Sequence, residues 1–182
     1  ARFHSGDAAG AVDTVYLGAF RRADFLAIGG MRTLPSRVAE DADLYYRWRK
    51  AGHSILLDPA IRSSYTPRAT PSALWRQFYR YGLGKADMLV VNGEFPSWRP
   101  LVPAGLVLAI LAGVLLVPFS WWPIAAVLTT WVVTLLAAMR FRVGVVWAAI
   151  IMHASYGLGL LRGLLRRPSK VRALVEEINQ PE

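Results

Sequence analysis

Apolar and polar positions change rhythm along this chain, and the changes divide it. Val12-Asp13-Thr14-Val15-Tyr16-Leu17 carries β-branched and aromatic residues at strand length. Arg21–Ile28 follows as a short helix closed by Gly29-Gly30, and Met31–Arg37, with Pro35 and Ser36, reads as loop. From Asp41 to Ala51 the pattern is helical, with Leu44, Trp48 and Ala51 at i, i+4, i+7 as the buried stripe. Glu40, Asp41 and Asp43 fill its first turn, and Arg47, Arg49 and Lys50 its last. That order complements the helix dipole by about 0.3–1 kcal/mol per well-placed charge. His53–Asp58 is a strand ended by Pro59, and Ile61–Tyr65 is a second short one. A helix runs from Ser72 to Met88, followed by a turn-rich linker over 92–100.

From Leu101 the character shifts. Residues 101–119 contain no charge, and as a helix they are about 28 Å long, close to the ~30 Å of a hydrocarbon core. Ser120-Trp121-Trp122-Pro123 is an aromatic turn, Ile124–Met139 a second apolar run, and Val143–Leu161 a third. The third is interrupted by His153, Ser155, Tyr156, Gly157 and Gly159. The tail 162–182 is basic first and then acidic. Positive-inside logic places the linker, the Arg140/Arg142 loop and the tail on one side. Two spans satisfy this, over 101–119 and 124–139, with the third segment left as a span or a re-entrant helix. His153 reads as a hydrogen-bonded helix contact rather than a ligand, because no carboxylate or second histidine lies near it in sequence.

Composition sharpens the division. The chain is 54% hydrophobic with a net charge of +9, and the charges gather before residue 100 and after 161. That sign suits anionic lipid or phosphorylated substrates. Nucleic acid is the weakest partner class, since basic flanks are ordinary at membrane edges. Without cysteine there is no disulfide framework, thiolate nucleophile or cysteine metal site. Ala1 stands first and no basic-then-apolar leader follows, so the chain is expected to be the C-terminal part of a longer protein or a heavily trimmed form of one.

Two groups of residues carry candidate chemistry. Glu40-Asp41 is either a helix cap or a carboxylate placed to accept a proton. Within the 72–88 helix, Gln77, Arg80, Tyr81 and Gly84 share one face, with Trp75 and Phe78 on the other side and Arg76 beside them. That helix either addresses a polar ligand or rests its basic residues on lipid headgroups.

The ordered stretches VDTVYLGAFRRADF, EDADLYYRWRKAGHSILLDP, SYTPR and LWRQFYRYGLGKA resemble the C-terminal half of family 2 inverting glycosyltransferases. Among these the likeness is to membrane-anchored bacterial enzymes of exopolysaccharide assembly, the succinoglycan type. The resemblance covers residues 12–88 and extends more loosely to HASYGLGLLRGLL. It implies an α/β fold of the GT-A type that binds a nucleotide-sugar, with Asp41 as general base and Glu40 supporting it. It maps a Gln-x-x-Arg-Trp motif onto Gln77, Arg80 and Tyr81, grouped with Arg68, for the diphosphate and the acceptor. Tyr81 in place of tryptophan is a departure. It also implies a divalent metal, Mg²⁺ or Mn²⁺, whose Asp-x-Asp ligands are expected earlier in such a domain. Asp41-Ala42-Asp43 spells that motif, but it leads into an amphipathic helix rather than following a buried strand.

The organisation expected is therefore a catalytic-domain part over 1–91 that includes the interface helix 72–88. The linker 92–100, two or three transmembrane helices over 101–161 and a basic cytoplasmic tail over 162–182 complete it. The resemblance implies transfer of a sugar from a nucleotide-diphosphate donor to a lipid-linked or glycan acceptor at the cytoplasmic face of the inner membrane. The fragment alone is expected to be inactive. A polyprenyl-phosphate sugar transferase is the alternative within the enzyme class. A non-catalytic membrane protein that binds anionic lipid or a partner synthase is the alternative outside it.

Overall fold

The computed structural model describes residues 9–61, 66, 68–94, 98–138, 140, 142–166 and 168–180. Its elements are β1 (Gly10–Ala11), α1 (Arg22–Ala27), α2 (Glu40–Lys50), β2 (Leu56–Leu57), α3 (Pro71–Asn92), α4 (Leu101–Leu116), α5 (Trp122–Ala138), α6 (Val143–Leu164) and α7 (Pro168–Ile178). The described chain is thus mostly helical, which corrects the α/β expectation. β1 and β2 pair antiparallel through Gly10↔Leu57 and Ala11↔Leu56. Val12–Leu17 is not a strand; the ladder is extended only by Val12 N–H donating to the Ile55 carbonyl at 2.9 Å. A strand needs a partner edge along its length, and β2 offers one for two residues only. The 53–58 strand shrinks to β2 for the same reason, and most of the one expected at 61–65 lies outside the described residues.

The apolar residues of these segments find another use. Val12, Val15, Phe20, Phe25 and Ile28 pack on Tyr45, Trp48 and Ile55, so α2 anchors the N-terminal segment by its aromatic face. Phe20 meets Trp48 edge-on with ring centroids 5.0 Å apart. Ala51, expected in the stripe, is exposed at the end of α2, where the chain turns through Gly52.

α3 is the spine of the fold. It begins at a cap where Thr70 Oγ1 accepts the Ala73 N–H, with Pro71 at the first helical position, and ends at Gly93 with φ +78. One face of it lies against α6 at very short range. A Cβ on Gly82 would stand 2.2 Å from the Tyr156 carbonyl oxygen, and one on Gly159 would stand 2.1 Å from the Tyr79 carbonyl oxygen. Gly163 faces the Ala86 methyl in the same way. Small residues one turn apart on both helices let the backbones touch, as in membrane helix pairs. Gly157, on another face of α6, admits the Pro103 carbonyl of α4.

At 16 and 17 residues, α4 and α5 are about 24 and 26 Å long, short of the ~30 Å core. Among the described residues only α6 is long and apolar enough to cross a membrane, over Gly144–Leu164. The two segments read from sequence as definite spans are therefore the shorter ones, because Val117–Phe119 turns instead of extending α4. Trp121 and Trp122 stack at that turn, 4.0 Å between ring centroids. His153 accepts a hydrogen bond at Nδ1 from Trp131 Nε1 at 3.2 Å, the helix-contact role expected of it.

The tail forms α7, whose Val171 and Val175 are buried. Val175 joins Leu34, Tyr46 and Met88 in a shared core. Beyond it, the Asn179 amide accepts the Thr33 N–H at 2.8 Å and donates to the Thr33 carbonyl at 2.9 Å, as a paired strand would.

Candidate active site

The first turn of α2 is placed by its neighbours. Ala39 precedes the helix in a left-handed conformation, φ +68, and its side chain makes no capping bond. The backbone is held there by α3, because Gly84 has no Cβ. One added would lie 2.9 Å from the Val38 carbonyl oxygen and 2.9 Å from the Ala39 methyl. Arg80, one turn earlier on α3, donates from Nη2 to the Arg37 carbonyl at 3.4 Å. The acidic start of α2 and the polar face of α3 are thereby brought side by side.

Beyond this contact lies a cleft of about 460 Å³ lined by Val38, Arg68, Ala73, Arg76, Gln77, Arg80 and Tyr81. Arg68, Gln77, Arg80 and Tyr81, separate in the sequence reading, thus share one cavity. Gln77 Nε2 donates to the Tyr81 hydroxyl at 2.8 Å, and Phe78 supports the tyrosine ring edge-on at 5.5 Å. Arg76 also lines the cleft, which corrects its placement beside Trp75 and Phe78. Its i, i+4 relation to Arg80 was the signal that sequence reasoning passed over. Among the described residues, no ion pair engages Arg68, Arg76 or Arg80. Guanidinium groups so arranged match the oxygens of a phosphate or diphosphate.

Glu40 and Asp41 are not in the cleft lining, which on this side stops at Val38, before α2 begins. Asp41 is exposed, and its Oδ1 accepts the Ala42 N–H at 2.7 Å, while Oδ2 has no hydrogen bond among the described residues. Glu40 Oε2 is buried with no hydrogen-bond partner among the described residues. A buried carboxylate oxygen left unpaired is costly and marks a functional candidate.

Asp43 has the opposite surroundings. Its side chain is fully buried, and Oδ1 accepts from Arg32 Nη2 and from Asn92 Nδ2 at 2.8 Å. Oδ2 accepts from Arg32 Nε at 3.2 Å and Arg47 Nε at 2.9 Å. Burial works to raise the Asp43 pKa, yet the hydrogen bonds of Arg32, Asn92 and Arg47 outweigh it and hold the carboxyl below its usual value. Arg47 continues the network to the Ile28 and Gly30 carbonyls at 2.7 and 2.6 Å. With four donors on its two oxygens, Asp43 has no lone pair left for a cation.

Asp41-Ala42-Asp43 therefore lacks the donor set of a metal site. Among the described residues no group of three His, Cys, Asp or Glu is placed to hold an ion. The divalent metal implied by the resemblance does not fit these residues.

Asp87 joins the site to the apolar helices. It is buried on α3, accepts the Ser36 N–H at 2.9 Å, and pairs with Arg166, beyond the end of α6, at 3.3 Å.

A cleft whose guanidinium groups make no ion pair among the described residues suits an anionic ligand. The chain belongs to glycosyl transferase family 21, whose profile matches residues 15–173. It is similar to the succinoglycan biosynthesis protein ExoA of Rhizobium meliloti (strain 1021), 32% identical over 150 residues. The match takes in 78% of this chain and 44% of that protein, so the chain spans less than half the length of that relative. No solved structure matches. The likeness to family-2-type glycosyltransferases of exopolysaccharide synthesis, drawn from the ordered motifs, stands on both matches.

Proposed function

We propose that this chain is the acceptor side and membrane anchor of an inverting glycosyltransferase. The enzyme moves a sugar from a nucleotide-diphosphate donor to a lipid-linked or glycan acceptor at the cytoplasmic face of the membrane. The observation that carries the reading is the cleft of Arg68, Arg76 and Arg80 beside the acidic start of α2. In this scheme Oδ2 of Asp41 takes the proton of the acceptor hydroxyl as that oxygen attacks the anomeric carbon. The bond to the diphosphate breaks on the opposite face of the sugar. Arg80, with Arg76 and Arg68, stabilises the charge that appears on the departing diphosphate. Gln77 and Tyr81, bonded to each other, form the wall against which the acceptor rests.

The nucleotide and any metal would be held by parts of a full-length enzyme other than the residues described here. The apolar surface of α4 and α5 supports a bilayer setting: Leu108, Leu111, Val114, Leu115 and Val133 are all at least half exposed. The Gly82/Gly159 contact then ties the arginine-bearing helix directly to the helix long enough to span.

The test is sugar transfer by the full-length protein carrying Asp41→Asn. Loss of a base of this kind lowers turnover by about 10²–10⁴-fold, and near-normal transfer in the variant refutes the assignment.

A further inference from the structure

The loop that leads into α2, residues 33–39, is bent in a way that needs holding. Arg37 and Ala39 both take positive φ, +51 and +68. Residues with a side chain adopt that conformation only where their neighbours over-determine it. α3 supplies two such neighbours: Gly84 lies against Val38 and Ala39, and Arg80 donates to the Arg37 carbonyl. Asp87, one turn beyond Gly84, is a third. Its side chain is 1% exposed, and its two oxygens serve two different segments. Oδ2 accepts the Ser36 N–H at 2.9 Å, and Oδ1 pairs with Arg166 Nη1 at 3.3 Å. A carboxylate so deeply buried depends on having both oxygens met, so the grip on Ser36 depends on Arg166.

The other grips come from further along the chain after α6. Asn179 bonds both the N–H and the carbonyl of Thr33, at 2.8 and 2.9 Å. Leu34, fully buried, packs with Val175 of α7. The start of the loop is thus held by residues 166–179, and its end shapes the cleft. Val38 lines that cleft, and the Arg37 carbonyl is an acceptor for the Arg80 guanidinium. A shift of the loop moves both a wall of the cleft and one of its charges.

We infer that Arg166 and Asn179 are positioning residues for the cleft. Acting through Asp87, Ser36 and Thr33, they clamp the loop so that its Arg37 carbonyl aims Arg80 at the diphosphate. The inference rests on the reading of this cleft as the place where the diphosphate departs. It gives the segment after α6 a part in transfer although none of its residues lines the cleft.

The experiment is steady-state sugar transfer by the full-length protein, read together with hydrogen exchange of the backbone amides of the loop. Asn179→Ala and Arg166→Gln are each expected to lower kcat by about tenfold or more, within the ~10²-fold that a misplacement of about 1 Å can cost. KM for the acceptor is expected to stay near the parent's, and exchange at Ser36 and Arg37 to quicken. Arg166→Lys keeps the charge beside Asp87 and should recover most of the kcat. Added to Arg80→Ala, Arg166→Gln should lower kcat by less than about twofold further, because the clamp acts through a side chain already removed. Parent-like kcat or parent-like exchange in both single variants overturns the inference, and so do losses that multiply in the double variant. Thermal unfolding in detergent registers any loss of fold, and Asn179→Ala, at an exposed position, keeps the test decisive if Arg166→Gln unfolds. Full transfer by Arg80→Ala sinks the cleft reading itself and with it the inference. A slow Arg80→Ala beside parent-like Asn179→Ala and Arg166→Gln sinks only the clamp.

Discussion

The network around Asp43 and the cleft around Arg80 both gather arginines at the α2–α3 side of the fold, yet only the first sets a carboxylate among them. In the first, every oxygen of a buried carboxylate is met by a donor from the loop before α2, from α2 itself or from α3. In the second, the guanidinium groups of Arg68, Arg76 and Arg80 have no carboxylate opposite them among the described residues. A completed network holds elements together, whereas an incomplete one of a single sign leaves its charges for a ligand. Two residues apart in sequence, Asp43 is buried with both oxygens engaged, whereas Asp41 is exposed.

The largest effect expected from breaking this contrast is on the completed side. Asp43→Ala strands Arg32 and Arg47 and should cost about 3–5 kcal/mol, as removal of one partner from a buried ion pair does. Chemical denaturation measures it. The same carboxyl predicts a pH dependence. Because the hydrogen bonds of Arg32, Asn92 and Arg47 hold the folded carboxyl below its usual range, the stability it contributes is present above the ordinary carboxylate value and is lost as pH falls through the lower, folded one. The parent should therefore lose stability below about pH 4, and the variant should show a smaller loss over the same window.

A smaller effect is expected at the helix junction that carries the cleft. Gly159→Val places a side chain where the Tyr79 carbonyl stands at 2.1 Å, and should cost about 1–3 kcal/mol, read by thermal unfolding in detergent. Since Tyr79 precedes Arg80, transfer should fall in this variant by more than its loss of folded protein explains. Activity that merely tracks the folded fraction would separate the junction from the site.

Much of the part before residue 100 was legible because its signals are local. α2 was expected from 41 to 51 and runs Glu40–Lys50, since its charges and its Leu44/Trp48 stripe are set within a few turns. α1 lies within the 21–28 expected of it, and the gathering of Gln77, Arg80 and Tyr81 follows from their spacing on one helix. What failed depends on distant partners. Residues 12–17 have strand chemistry but lack a paired edge among the described residues, so their apolar side chains pack on α2 instead. Asp43 shows its i, i+4 bond to Arg47 in sequence, but Arg32 and Asn92 reach it only through the fold.

The glycines at 157 and 159 read as interruptions of an apolar run, whereas they are contact surfaces for α4 and α3. In α7 the period was present, with Val171, Leu174, Val175 and Ile178 at i, i+3, i+4, i+7, but the charge pattern drew the reading toward a tail.

The central claim, that Arg80 meets a charge appearing only as the sugar departs, is tested most directly by steady-state kinetics of Arg80→Ala in the full-length protein. The account predicts that kcat falls by about 10²–10³-fold, the usual cost of losing one donor to a developing charge, while KM for the acceptor stays near the parent's. A variant that keeps its kcat and loses only acceptor affinity would contradict it, and would return α3 to the role of a basic helix resting on lipid headgroups.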